Sequence, residues 1–200
     1  MVFAKIISII LHPIFMPIIA FYLSLKLTAN TQFLNANYMN FIYLILFLST
    51  IVMPLLSIFF LIKKGLVSSL EMNGYKERVL PLIVTTTWMC YGYYKLEGAL
   101  TFTPLLKREL LCAIIIVFLA ALISKFWKIS LHMLGVGGCV GVLFSLNILF
   151  GGLVYETIAS VFLAGVLGFA RLRLKAHNNT QVYVGFLTGF SIECGGLLIF

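Results

Sequence analysis

The sequence predicts an all-α protein, a polytopic membrane helix bundle of six or seven transmembrane helices. Three observations carry that prediction. The 200 residues are 62% hydrophobic and only 10% charged, whereas soluble domains average ~25% charged residues. Mean hydropathy is +1.11. Apolar runs also recur along the whole chain at lengths near the ~20 residues that one crossing needs. Backbone groups in hydrocarbon must bond within their own segment, so such runs have to be helices.

Taken in order, the helices are expected at 3–26, 40–62, 79–95, 110–124, 132–150, 153–170 and 181–200. Within the first, an apolar run follows Lys5, holds Pro13 and Pro17, and reaches nearly to Lys26. That run exceeds the ~7–15-residue core of a cleavable signal and ends in no small-x-small site, so it reads as a retained span. His12, in "LHPIFMP", is expected as a neutral imidazole bonded to a carbonyl freed by Pro13 or Pro17. The third and fourth segments are short. In the fifth, Gly137 and Gly141 form a small-x-x-x-small pair, which predicts close helix packing. Glu193 in the last segment is expected to be protonated or paired near the opposite face. No repeat or linker divides the chain, so residues 1–200 form a single integral-membrane domain.

Cys90, Cys112, Cys139 and Cys194 lie in apolar segments without metal-type spacing, and read as small packing residues. The net charge of +8 arises from 14 basic and 6 acidic residues, with no Asp at all. In a membrane chain this balance implies anionic head groups or an anionic substrate as partner, and no nucleic acid.

Seven spans place the loops 63–78, 125–131 and 171–180 on the face of the N-terminus. That face carries Lys5, Lys63, Lys64, Lys76, Arg78, Lys125, Lys128, Arg171, Arg173 and Lys175, ten cations against the four (Lys26, Lys95, Lys107 and Arg108) on the other. The positive-inside rule would make the richer face cytoplasmic. The expected location is a multi-pass position in a bacterial inner (cytoplasmic) membrane.

Three loops on that face hold the groups that carry chemistry. In "GFARLRLKAHNNTQVYVGF" a helix starting near Asn178 stacks His177 over Gln181, four residues apart. The amide oxygen would fix the imidazole tautomer, the helix start favours an anion, and Arg171 offers a planar fork for phosphate oxygens. A solvated basic loop at the head groups accounts for the same residues. "SKFWKISLHMLGVGG" adds Ser130 as a hydroxyl donor and His132 as a proton donor. "EMNGYKERVLPLI" brings Lys76 and Arg78 just ahead of the third helix, with Pro81 in its first turn.

The three segments resemble the signature motifs of the type 2 phosphatidic acid phosphatase (PAP2) superfamily, integral-membrane enzymes that remove phosphate from lipids. The family's third motif is Ser-Arg, five residues, His, three residues, Asp. Here it reads Ala170-Arg171, five residues, His177, three residues, Gln181, with Gly185 beyond. Pro-Ser-Gly-His becomes Ile129-Ser130-Leu131-His132. In the first motif Arg78 fits, Glu71 replaces the lysine, the proline comes late at Pro81, and Lys76 is the substitute cation. The motifs fall within 71–185. The resemblance implies an atypical member in which His177 is the nucleophile, Gln181 its orienting partner and His132 the acid. Arg78, Ser130, Arg171 and Lys76 would hold the phosphate. It further implies a metal-independent reaction with no cofactor, on a phospholipid or a prenyl (pyro)phosphate, through phosphohistidine. Two other functions fit the same scaffold: a phosphotransferase, and a non-catalytic protein that binds or transports lipid head groups.

Overall fold

The computed structural model describes residues 1–27, 35–69, 72 and 74–199. Among them the chain is all-helical, without a strand. The helices are α1 (Val2–Ile10), α2 (Met16–Leu27), α3 (Ala36–Phe47), α4 (Met53–Lys63), α5 (Val79–Leu96), α6 (Pro104–Ile123), α7 (Leu131–Phe150), α8 (Val154–Arg173) and α9 (Asn179–Leu198). Each of the seven expected segments is helical. Four stretches of the described residues are long and apolar enough to cross a membrane: Val2–Leu27, Ala36–Lys63, Leu131–Phe150 and Val154–Arg173. α5, α6 and α9 reach 18, 20 and 20 residues, but α5 and α9 are more polar and α6 carries three charges, Lys107, Arg108 and Glu109. α6 starts earlier than expected, because Pro104 opens its first turn and brings Lys107, Arg108 and Glu109 onto the helix.

The first of these stretches is interrupted where the sequence places Pro13. Proline has no N–H for the carbonyl four residues back, so α1 ends and a short 3-10 turn, Pro13–Phe15, precedes α2. In the second span a π-helical stretch, Leu48–Val52, precedes Pro54. The Thr50 hydroxyl donates to the Leu46 carbonyl at 2.7 Å, and the widened turn presses Ser49 into the space left by Gly92 on α5.

Helix α7 is the axis of the bundle, with twelve buried residues between Met133 and Leu146. Its main partner is α9, and glycines on both helices allow the approach. A Cβ on Gly189 would collide with the Leu134 carbonyl, and one on Gly137 with the Phe186 carbonyl. One on Gly141 would lie 2.8 Å from the Phe190 oxygen, and one on Gly185 2.8 Å from the Ser130 oxygen. The small-x-x-x-small pair of α7 thus meets a second such pair, Gly185 and Gly189, on α9. This contact holds the N-terminal ends of α7 and α9 side by side. The cysteines are free; Cys112 and Cys139 are buried as small packing residues should be, whereas Cys90 is exposed and Cys194 half-buried.

Candidate functional site

A cavity of about 220 Å³ opens between the break in the first span and the ends of α5, α7, α8 and α9. His12, Arg78, His132, Arg171 and His177 share its wall. Farther in, the wall is apolar, with Met16, Ile116 and Leu134, and Glu193 also lines it. Four parts of the chain far apart in sequence therefore supply three imidazoles and two guanidiniums to one space.

His177 owes its position to how α8 stops. Lys175 adopts a left-handed φ of 51°, and the N–H of Ala176 donates to the Arg171 carbonyl at 3.1 Å. The chain turns back at once, and His177 is buried with 8% of its surface exposed. Asn178 caps α9 in a reciprocal box: its side chain accepts from the Gln181 N–H at 2.9 Å, and its own N–H donates to Gln181 Oε1 at 3.3 Å. That oxygen also lies 3.0 Å from His177 Nδ1. An oxygen that accepts from a backbone N–H is the acceptor end of the amide, so Nδ1 carries the ring proton and Nε2 the lone pair. Burial pushes the imidazole down to about 4. The Gln181 bond opposes the shift, while Arg171, Arg78 and Lys128 add to it.

His132 is committed elsewhere. Its Nε2 lies 3.0 Å from the Ser8 carbonyl, one of the α1 carbonyls that the break leaves without a helical partner. A carbonyl accepts only, so Nε2 bears the proton and Nδ1 is the uncommitted nitrogen. This corrects the expectation for His12, because the imidazole that bonds a carbonyl at the break is His132, to Ser8. His12 instead caps the 3-10 turn, with Nδ1 accepting from the Ile14 N–H at 3.3 Å. The two rings meet edge to face, centroids 5.3 Å apart.

Arg78 is buried. Its Nε donates to the Met72 carbonyl at 3.1 Å, and Nη1 lies 3.5 Å from the Ile129 carbonyl, so it ties the α5 approach to the α7 approach. Burial lowers its pKa. Arg171 Nε is buried without a hydrogen-bond partner among the described residues. Lys128 has its pKa lowered by burial, then by Arg78 and Arg171, so a third cation stands near the two guanidiniums. Among the described residues the ion pair is Lys107 with Glu97 at 3.5 Å, away from this cluster. Glu71 lies outside the described residues. Among the described residues these three cations form no ion pair with a carboxylate, and such a cluster favours an anion in the cavity.

Two expected phosphate ligands are not brought to the cavity. Ser130 is completely buried, its N–H 3.4 Å from the Gln181 carbonyl and its own carbonyl against Gly185. The close α7–α9 contact seals it, and its hydroxyl has no partner among the described residues. Lys76 is exposed on the 3-10 turn that ends in Arg78. With three residues per turn, positions two apart point to different sides. Sequence reasoning counted Lys128 only as a loop charge, and read His12 beside Pro13 as a structural imidazole outside the site. Glu193 lines the cavity with Oε2 unpartnered among the described residues; of the two expected states, protonated or paired, no partner is seen for this oxygen. No protein-family model, curated protein or solved structure matches this chain.

Proposed function

We propose that this chain is an integral-membrane lipid phosphatase, an atypical member of the PAP2 superfamily with seven spans, acting on a phospholipid or a prenyl (pyro)phosphate. The observation that carries the reading is the convergence of His132, His177, Arg78 and Arg171 on one cavity that continues between apolar side chains. An amphiphile's phosphate fits the cationic end, and its tail fits the rest. In this reading Arg78, Arg171 and Lys128 hold the phosphate oxygens. His177 Nε2, with its lone pair free, attacks phosphorus as the bond to the leaving oxygen breaks. The leaving oxygen takes a proton from doubly protonated His132, at Nδ1. Water then attacks the phosphohistidine, its proton passes to His132 Nδ1, and inorganic phosphate leaves with His177 regenerated.

One observation favours a second reading, a head-group-binding protein without turnover. His132 is tied through Nε2 to Ser8, and position 181 provides an amide where the resemblance calls for a carboxylate. The two readings separate in a single assay. Purified protein in detergent is given phosphatidic acid, phosphatidylglycerophosphate and prenyl pyrophosphate, and inorganic phosphate is measured. The phosphatase reading requires release that disappears in His177→Ala with folding intact. Binding without release in the wild type supports the second reading.

A further inference from the structure

Resting on the anion site proposed above, we propose that His12 is an additional phosphate ligand, a neutral N–H donor at Nε2 supplied by the break in the first span. Three observations converge on it. Its Nδ1 lone pair accepts the Ile14 N–H, which places the ring proton on Nε2. Both other imidazoles spend their ring proton within the protein, His177 on Gln181 and His132 on Ser8. His12 lines the same cavity, edge to face with His132, and its Nε2 has no hydrogen-bond partner among the described residues. With all three rings neutral, it is the one with an N–H left for a ligand.

The chemistry suits a phosphomonoester or free phosphate. Arg78, Arg171 and Lys128 already supply positive charge, and a neutral donor adds a directed hydrogen bond without a further cation to repel them. Proline makes the device rigid, since Pro13 prevents the helix from continuing and fixes His12 at the cap of the following turn. The titratable and charged groups that face His12 are Arg171, which acts on it electrostatically, and the His132 ring; the Phe15 ring lies edge-on to it as well.

The test uses the full chain, purified in detergent and labelled with ¹⁵N-histidine, titrated with inorganic phosphate. Long-range ¹H–¹⁵N spectra report the tautomer of each ring. His12 is expected as the Nε2–H form, and its signals should move with phosphate while the Nε2–H of His132 stays. His12→Asn keeps a side-chain acceptor at the cap, where Asn is favoured, and removes the N–H at that reach. It should lower phosphate affinity about tenfold or more, as loss of a bond to a charged group does. His12→Asn with wild-type affinity, or phosphate binding that leaves the His12 signals unmoved, overturns this proposal and leaves the anion site standing. A wild type that binds no phosphate overturns both. Phosphate binding through His12 without release from lipids removes the phosphatase reading alone.

Discussion

The side-chain oxygen of Gln181 stands 3.0 Å from His177 Nδ1 while also accepting the Asn178 N–H. One amide thus caps α9 and sets the histidine tautomer. Gln181→Glu preserves the length needed for both contacts and adds a negative charge that stabilises an imidazolium. Phosphate release is expected to equal or exceed the wild type. Gln181→Asp is expected to do the same where the shorter chain still reaches Nδ1. Gln181→Leu removes the acceptor, and release should drop by about 10²-fold or more, in the direction of the ~10⁴-fold loss when a catalytic histidine loses its orienting carboxylate. Rates for the three variants at one pH check this, and a wild-type rate for the leucine variant would disprove it.

The pH dependence follows from His177, held down to about 4 mainly by burial. At neutral pH its Nε2 lone pair is free, and the acid limb of the release profile should lie near pH 4 rather than near the ordinary histidine value of ~6.5. Gln181→Glu should move that limb upwards. Stability obeys the same linkage. Between the lowered folded value and the unfolded one, the unfolded chain binds more protons. The His177 contribution is therefore fully present above ~6.5 and is lost as pH falls towards 4. Thermal unfolding across this window, in wild type and His177→Gln, measures it.

How far the site was readable depended on local geometry. His177 and Gln181 are four apart on one helix start, so their pairing follows from the helical repeat. The positions of Arg78, His132 and Arg171 next to long apolar runs placed all three at helix ends, and those ends meet. Lys76 and Ser130 lie off the cavity because their placement turns on rotational phase. A single 3-10 turn sends Lys76 outward, and a glycine contact closes over Ser130. His132, rather than His12, bonds a carbonyl at the break, because such a carbonyl can be claimed from another helix, which no local pattern reveals. The helical segments themselves were legible from hydropathy, except that the polar first turns of α6 looked like loop.

Arg78 and Lys76 offer a contrast two residues apart. Arg78 is buried, lines the cavity and joins two loops through Met72 and Ile129. Arg78→Ala should weaken inorganic phosphate binding at least about tenfold and also lower the unfolding temperature, since a charged hydrogen-bonding group contributes roughly 1.5–3 kcal/mol. Lys76→Ala should leave both quantities near wild type. Lys128→Ala should weaken binding and leave folding intact. Calorimetric titration of the three variants distinguishes them, and a larger effect at Lys76 than at Lys128 would contradict the geometry.

The α7–α9 contact yields the last prediction. Gly189 packs where the Leu134 carbonyl leaves no room for a Cβ, whereas Gly165 on α8 has nothing within 4 Å. Gly189→Ala must push the helices apart, and overpacking of this kind costs about 1–3 kcal/mol. The separation propagates to the site, because α7 begins at Leu131 beside His132 and α9 follows His177 directly. Phosphate binding should therefore fall together with stability. Gly165→Ala replaces glycine in an open helix interior and should be neutral or stabilising by up to ~1 kcal/mol. Thermal unfolding in detergent and phosphate titration of both variants check the pair. Equal stability for the two would mean that close glycine packing does not hold the imidazoles together.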